Sequence, residues 1–422
     1  MKEDFLHYLW RTRRFDLIDL STTDGRPLVI VEPGEYNRHA GPDFLHARVR
    51  IDDTLWAGNV EMHLRASEWL QHGHQHDAAY DNVILHVVLE EDKPVFRANG
   101  ERLACLELRR RIPPRLSGTY LQLMHAEYWI PCQPHFGAVD DTTRALWLDR
   151  LLVERLEEKT ARLAERLEAA TYDWEEVFYQ SLAANFGTNI NAAPFDMLAR
   201  SLPLKLIAKH RSSLLQIEAL LFGQAGMLDV AFADDYPRRL SEEYRFLSKK
   251  YQLTPIAPAM WKFLRLRPAN FPTVRLAQLS ALLFGSEHLF SKTLAAADYK
   301  EIEQLFDLRV SLYWLDHYVF DKPSVRRAKP LGQEAIQLIT ANTIVPFLFL
   351  YGAHKHEPQY RDKALQLLEA LPPESNHIVD GWKKLGWQAA HAYQSQAMLQ
   401  LKHKYCDRKR CLECAIGHVV MK

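Results

Sequence analysis

Two carboxylates and a histidine stand close together near the start of the chain. Gly41-Pro42-Asp43-Phe44 leads into one alternating apolar run, and Gly58-Asn59-Val60-Glu61-Met62-His63 lies in the next. Side chains two apart on a strand share a face, so Glu61 and His63 project together. An acidic residue before one strand and another on its neighbour can converge on a divalent cation. Magnesium needs few protein carboxylates, because waters and phosphate oxygens fill its other positions. Held there by Asp43 and Glu61, Mg²⁺ would stabilise charge at phosphorus and acidify an attacking water. His63 would position that water or act as general base near neutral pH. The register raises an objection. Pairing Leu45, Ala47, Val49 and Ile51 with Trp56, Val60, Met62 and Leu64 across an Asp52-Asp53 turn sets Asp43 opposite Met62. Asp43 then reaches Glu61 only if Gly41-Pro42 bends the chain or a bulge shifts the pairing. Otherwise Asp43 caps a turn and Glu61 is a solvated strand residue.

A second group of ligand-type residues follows. His72, His74 and His76 alternate beside Asp77, a pattern read as an exposed turn in preference to a zinc site. His86, inside an apolar run, is expected to be a hydrogen-bonded core residue that at most supports the cleft around Glu61. The C-terminus carries His403, Cys406, Cys411, Cys414 and His418, in a chain with five cysteines. Three clustered thiols need one more ligand for a four-coordinate site. A nearby histidine would give zinc, and Cys132 would give zinc or an iron–sulfur cluster. The other reading is three buried, reduced thiols on a terminal helix.

The elements that must hold these residues fall into two compositions. Residues 1–116 alternate short β-prone runs with Asp, Gly and Pro. Helix Lys2–Phe15 is followed by strands Leu28–Val31, Phe44–Ile51 and Leu55–Leu64, a helix over Ser67–Tyr80 and the strand Asn82–Leu89. A last hairpin pairs Val95–Arg97 with Leu103–Leu108. The predicted fold class is therefore α+β, in the order α-β-β-β-α-β. Residues 117–140 are taken as a linker, and 141–422 as a mostly all-α domain opening with a helix over Asp141–Ala170. Within it Ala219-Leu-Leu-Phe-Gly223 recurs as Ala281-Leu-Leu-Phe-Gly285. This reads either as duplicated, stacked helical hairpins or as two unrelated helices capped by glycine.

The order of elements, with Pro42-Asp43 and Glu61-Met62-His63, resembles the PD-(D/E)XK nuclease superfamily over the first 110 residues or so. The resemblance implies that Asp43 and Glu61 ligate metal and that Glu3 is the acidic residue of the first helix. Glu32, ending the first strand, could play a similar part. That superfamily has lysine where this chain has His63. Some of its nucleases fasten an iron–sulfur cluster with one distant and three clustered cysteines, which is similar to Cys132 with Cys406, Cys411 and Cys414. Over nearly its whole length the chain also resembles an uncharacterised bacterial family, domain of unknown function 2851. His72-Gly-His-Gln-His-Asp77, Tyr80-Asp-Asn-Val-Ile-Leu-His-Val-Val88 and Lys409-Arg-Cys-Leu-Glu-Cys-Ala-Ile-Gly417 carry that likeness.

Composition sets the outer limits. With 47% apolar and 25% charged residues, the 422-residue chain is folded and globular. Lys plus Arg equal Asp plus Glu at 53 each, which excludes a histone-like polycation but leaves room for a local basic groove. No run reaches the roughly 18 apolar residues of a membrane span; the best, Ile344–Tyr351, is interrupted by Pro346. The N-terminus lacks an apolar signal core, so a cytoplasmic location and no membrane partner are expected. Three functions compete: a Mg²⁺-dependent nuclease, an inactive nuclease-fold platform for nucleic acid or protein, and a metal or redox sensor using the terminal cysteines.

Overall fold

A computed structural model describes residues 1–97 and 99–422. The chain gathers into two units: Met1–Leu148 with Gln400–Lys422, and Asp149–Leu399. The last 23 residues, counted on sequence with the helical domain, thus fold with the N-terminal unit. Helical periodicity tells which face is apolar, and not which core receives it. The stretch 117–140 is not an open connector either. The helix Pro114–His125, the short segment after it and the 3₁₀ turn Gln133–Ala138 bury Tyr120, Leu123, Ile130 and Phe136.

The N-terminal unit is a mixed sheet with helices against it. Helix α1 (Glu3–Thr12) is followed by strands β1 (Leu28–Glu32), β2 (Glu35–Tyr36), β3 (Phe44–Ile51) and β4 (Thr54–Arg65). Helix α2 (Glu68–Gln71) leads to β5 (Val83–Glu90) and β6 (Cys105–Glu107). The sheet order is β1-β3-β4-β5-β6, with β2 added to β3. Antiparallel pairing joins β1, β3 and β4, whereas β4, β5 and β6 run parallel. Six successive residues of β5, Val83 to Val88, are buried, as a strand covered on both faces requires. Helix α1 buries Phe5, Leu6, Tyr8, Leu9 and Trp10, and Phe5 stacks on Tyr120 with ring centroids 4.2 Å apart.

Two local expectations change. The helix expected over Ser67–Tyr80 stops after one turn at Gln71, because Gly73 takes a left-handed conformation (φ +76°) and two 3₁₀ turns follow. Val95–Arg97 meets the returning chain through a bridge of Phe96 with Arg102 and the Leu103 N–H donating to Val95 O (3.0 Å), but the main pairing of Leu103–Leu108 is the parallel one of β6 with β5.

The second unit is built of paired helices, among them Leu214–Gln224 against both Asp235–Tyr251 and Pro272–Gly285. The recurring Ala-Leu-Leu-Phe-Gly segments lie on two of these, and the two helices pack on each other. Neither glycine is a left-handed cap: Gly223 lies inside its helix and Gly285 is the last residue of the other. Gln333–His354 forms one helical run through a π turn at Thr340–Ile344, which accommodates Pro346. It is long and apolar enough to cross a membrane by length and composition, and 67% of its apolar window is buried in the fold. Reading Pro346 as an interruption made this run look shorter on sequence.

One buried acid makes this unit sensitive to pH. Glu218 is fully buried, and its Oε2 accepts from Tyr236 Oη (2.8 Å), Trp314 Nε1 (3.1 Å) and Ser311 Oγ (3.3 Å). Burial pushes its carboxyl up to about 7, against the pull of those hydrogen bonds. Below the unfolded value near 4.5 the group is neutral in both states and costs nothing. As pH rises to about 7, folding opposes an ionisation that the unfolded chain completes. Stability should fall over that window by about 3 kcal/mol, at 1.36 kcal/mol per pKa unit. Urea unfolding of Glu218→Gln should show this slope flattened; an unchanged slope would assign it to other groups.

Candidate metal centre

The bulge raised as one escape from the register objection is present. From Ile51 back to Ala47, β3 pairs with β4 in the expected register, Ala47 opposite Gly58. Beyond it the register shifts so that Phe44 faces Val60. His46, in the shifted stretch, has φ +59°. The extra residue brings Asp43 level with Glu61. The two then hold each other: Asp43 N–H donates to Glu61 Oε2 (3.1 Å), and Met62 N–H donates to Asp43 Oδ2 (2.9 Å).

Three histidines complete the cluster. His63, on β4, lies with its Nε2 3.1 Å from His72 Nδ1 and 3.6 Å from Glu61 Oε1. His74 Nε2 lies 3.3 Å from Glu61 Oε1 but makes no hydrogen bond. Among the described residues, the ligand nitrogens of His63, His72 and His74 form a group whose members lie within 4.8 Å of one another. His63 is buried, His74 partly so and His72 exposed, so the group opens to solvent on the His72 side. The short α2 helix and the Gly73 turn deliver His72 and His74, while Asp77 caps the next turn by accepting from Ala79 N–H. His74 stacks on Tyr80 at 3.8 Å and meets the edge of Trp69. Behind His63, His86 Nε2 is 2.8 Å from His63 Nδ1, which fixes the ring and leaves His63 Nε2 facing the cluster.

The outer parts are uneven. His7, on α1, comes within 3.3 Å of Asp43 Oδ2, and Glu3 is within electrostatic reach of Asp43, His7 and His72. Glu32 stays out: it is exposed and pairs with Arg48 at 3.4 Å. His76 is exposed as well. Sequence reading thus named Asp43, Glu61, His63, Glu3 and His86, but set His72 and His74 aside as surface and passed over His7. The alternating histidines were the signal, obscured by the expectation of a longer helix.

Crowding shapes the electrostatics. Burial, then the Asp43 charge, pushes Glu61 up to about 9. Burial, then His74 and His72, pulls His63 down to about 3. Burial lowers His74 and His86 too, and raises the Tyr80 phenol to about 12. A neutral acid beside neutral imidazoles is an arrangement that a cation would reverse, drawing the carboxylate into its charged form.

Residues 3–377 match the family described as Protein of unknown function (DUF2851). The chain belongs to that family. The DUF2851 match contains the whole histidine–carboxylate cluster and ends before Cys406. No curated protein and no solved structure gives a match.

Beside the cluster lies a groove of about 820 Å³, walled on one side by α1 and on the other by the segment between Cys406 and Glu413. Its basic groups are Lys2, Arg11, Arg38, Arg408, Lys409 and Arg410, against Asp4, Asp407 and Glu413. His7 lines it too, and so connects the groove with Asp43. The four cysteines singled out on sequence gather in the same unit. Cys406 is within electrostatic reach of Cys132, Cys411 and Cys414, and all four thiols are free. His418 turns instead to the Leu412 carbonyl (2.6 Å), and His403 lies beside Asp407.

Proposed function

We propose that this protein is a metal-dependent hydrolase of phosphodiester bonds in nucleic acid. The observation that carries the reading is the trio of imidazole nitrogens beside Glu61, open toward solvent at His72. Tetrahedral coordination with bonds of about 2.0–2.1 Å places nitrogens about 3.3 Å apart, near the His63–His72 separation of 3.1 Å. Three imidazoles suit zinc or a similar transition metal better than magnesium, which prefers oxygen ligands. The ligand set therefore moves from Asp43 and Glu61, as the sequence suggested, to His63, His72 and His74. Such an ion would supply Lewis-acid stabilisation of phosphoryl charge and acidify a water.

The chain's own groups would divide the remaining work. Glu61 Oε1, facing His63 and His74, accepts the proton of the attacking water. Asp43 fixes the other Glu61 oxygen through its backbone N–H, and His86 holds the His63 ring. The basic groove supports nucleic acid as substrate, since six cationic side chains line a path to His7. Purified protein loaded in turn with Zn²⁺, Mn²⁺ and Mg²⁺ should cleave DNA or RNA, with one ion bound per chain. Absence of cleavage with every ion and both nucleic acids would defeat the hydrolase reading. Nucleic-acid binding without cleavage would leave the inactive platform.

A further inference from the structure

The four clustered cysteines lie outside the machinery just described. Each sits where an element begins or ends. Cys132 precedes the 3₁₀ turn Gln133–Ala138, and Cys406 closes the π turn Leu401–Cys406. Cys411 opens the 3₁₀ turn Cys411–Glu413, and Cys414 precedes the helix Ala415–Val420. The turn carrying Cys132 packs on the helix that follows Cys414, so the distant thiol joins the three clustered ones. The local turn is tight. A Cβ on Gly417 would stand 2.1 Å from the Cys411 carbonyl oxygen, so only glycine lets the helix after Cys414 pack this closely on the Cys411 backbone. Burial pushes the Cys414 thiol up to about 11, against the pull of the backbone N–H groups of Gly417 and Ile416 that its sulfur accepts. Cys132, Cys411 and Cys414 are buried, and no pair has formed a disulfide.

Four thiols gathered at the ends of four elements suit a thiophilic group, and their spacing selects its size. A single tetrahedral ion with bonds of about 2.3 Å needs sulfurs about 3.8 Å apart. Among the described residues, the ligand atoms that gather within 4.8 Å in a group of three or more are those of the histidine trio. No three of the cysteine sulfurs lie within 4.8 Å of one another, a spacing that suits ligands to a polynuclear centre. We propose that Cys132, Cys406, Cys411 and Cys414 hold an iron–sulfur cluster. It would clamp the 3₁₀ turn after Cys132 to the chain's last helix and fix the segment Asp407–Arg410, which walls the basic groove. The proposal stands independently of the hydrolase reading.

The test is metal and sulfide analysis of the full chain purified without oxygen, with electron paramagnetic resonance after reduction. Iron and acid-labile sulfide in equal amounts, with a broad visible absorption band, are expected. Cys132→Ser and Cys411→Ser should each lose most of the iron, whereas Cys105→Ser, in the separate core around Trp69, should keep it. If the ligand variants fold poorly, the wild-type spectrum and its sulfide content decide alone. Zinc in place of iron that Cys132→Ser and Cys411→Ser release, or soluble wild-type protein that takes up no iron even on reconstitution with iron and sulfide, would overturn the cluster.

Discussion

Replacing Glu61 by glutamine is expected to slow nucleic-acid cleavage by about 10²- to 10⁴-fold, the usual worth of a positioned general base, while the bound ion stays. The substitution keeps size and shape. The glutamine retains a side-chain oxygen to accept the Asp43 N–H, so the bulged start of β3 stays aligned with β4. What disappears is the atom facing His63 and His74 that can take a proton. His74→Ala should behave differently: with one of three nitrogens gone, metal content and activity fall together. His86→Ala, acting only through the His63 ring, should weaken metal affinity by about 10- to 100-fold. Activity and metal stoichiometry measured on the same preparations separate these roles. Glu61→Gln turning over at the wild-type rate, or His74→Ala holding its ion as tightly as before, would remove the basis of the mechanism.

Removing the groove's cations should give the second large effect, on binding rather than chemistry. Neutralising a phosphate-contacting side chain abolishes one counterion release, worth about 0.7–0.9 in the slope of log K against log salt. Arg11→Ala, Arg38→Ala and Arg408→Ala combined should therefore flatten that slope by about two and weaken binding most at low salt. All three line the groove, and none belongs to the histidine cluster, so metal content should not change. Fluorescence anisotropy across a salt series reads both quantities. An unchanged slope would place the nucleic acid elsewhere on the protein.

Much of this site can be read from sequence, because period two and short turns are local rules. Glu61 and His63 share a face for that reason, and the buried run of β5 announces itself by composition. The alignment of Asp43 with Glu61 depends on one extra residue in β3 that no apolar pattern marks; His46 does not advertise a positive φ. His72 and His74 were misplaced because Ser67–Tyr80 has helical composition, and a single glycine conformation decides otherwise. The fate of the last 23 residues is a tertiary matter. An amphipathic segment fits any apolar surface of the right shape, and spacing in sequence does not say which.

That the first unit is made of two stretches of chain has a consequence for how the protein is born. The histidine cluster and all six strands of its sheet are synthesised before the helical unit, and the Cys406–Glu413 wall of the groove after it. At about 5–20 residues per second, the helical unit in between takes on the order of 10–50 s to synthesise. Throughout that interval the nascent chain holds a sheet with Tyr8 and Tyr120 lacking the groove's far side. Synthesis of Cys406–Glu413 therefore completes the groove, and a chain stopped before it would hold the histidine cluster without that wall.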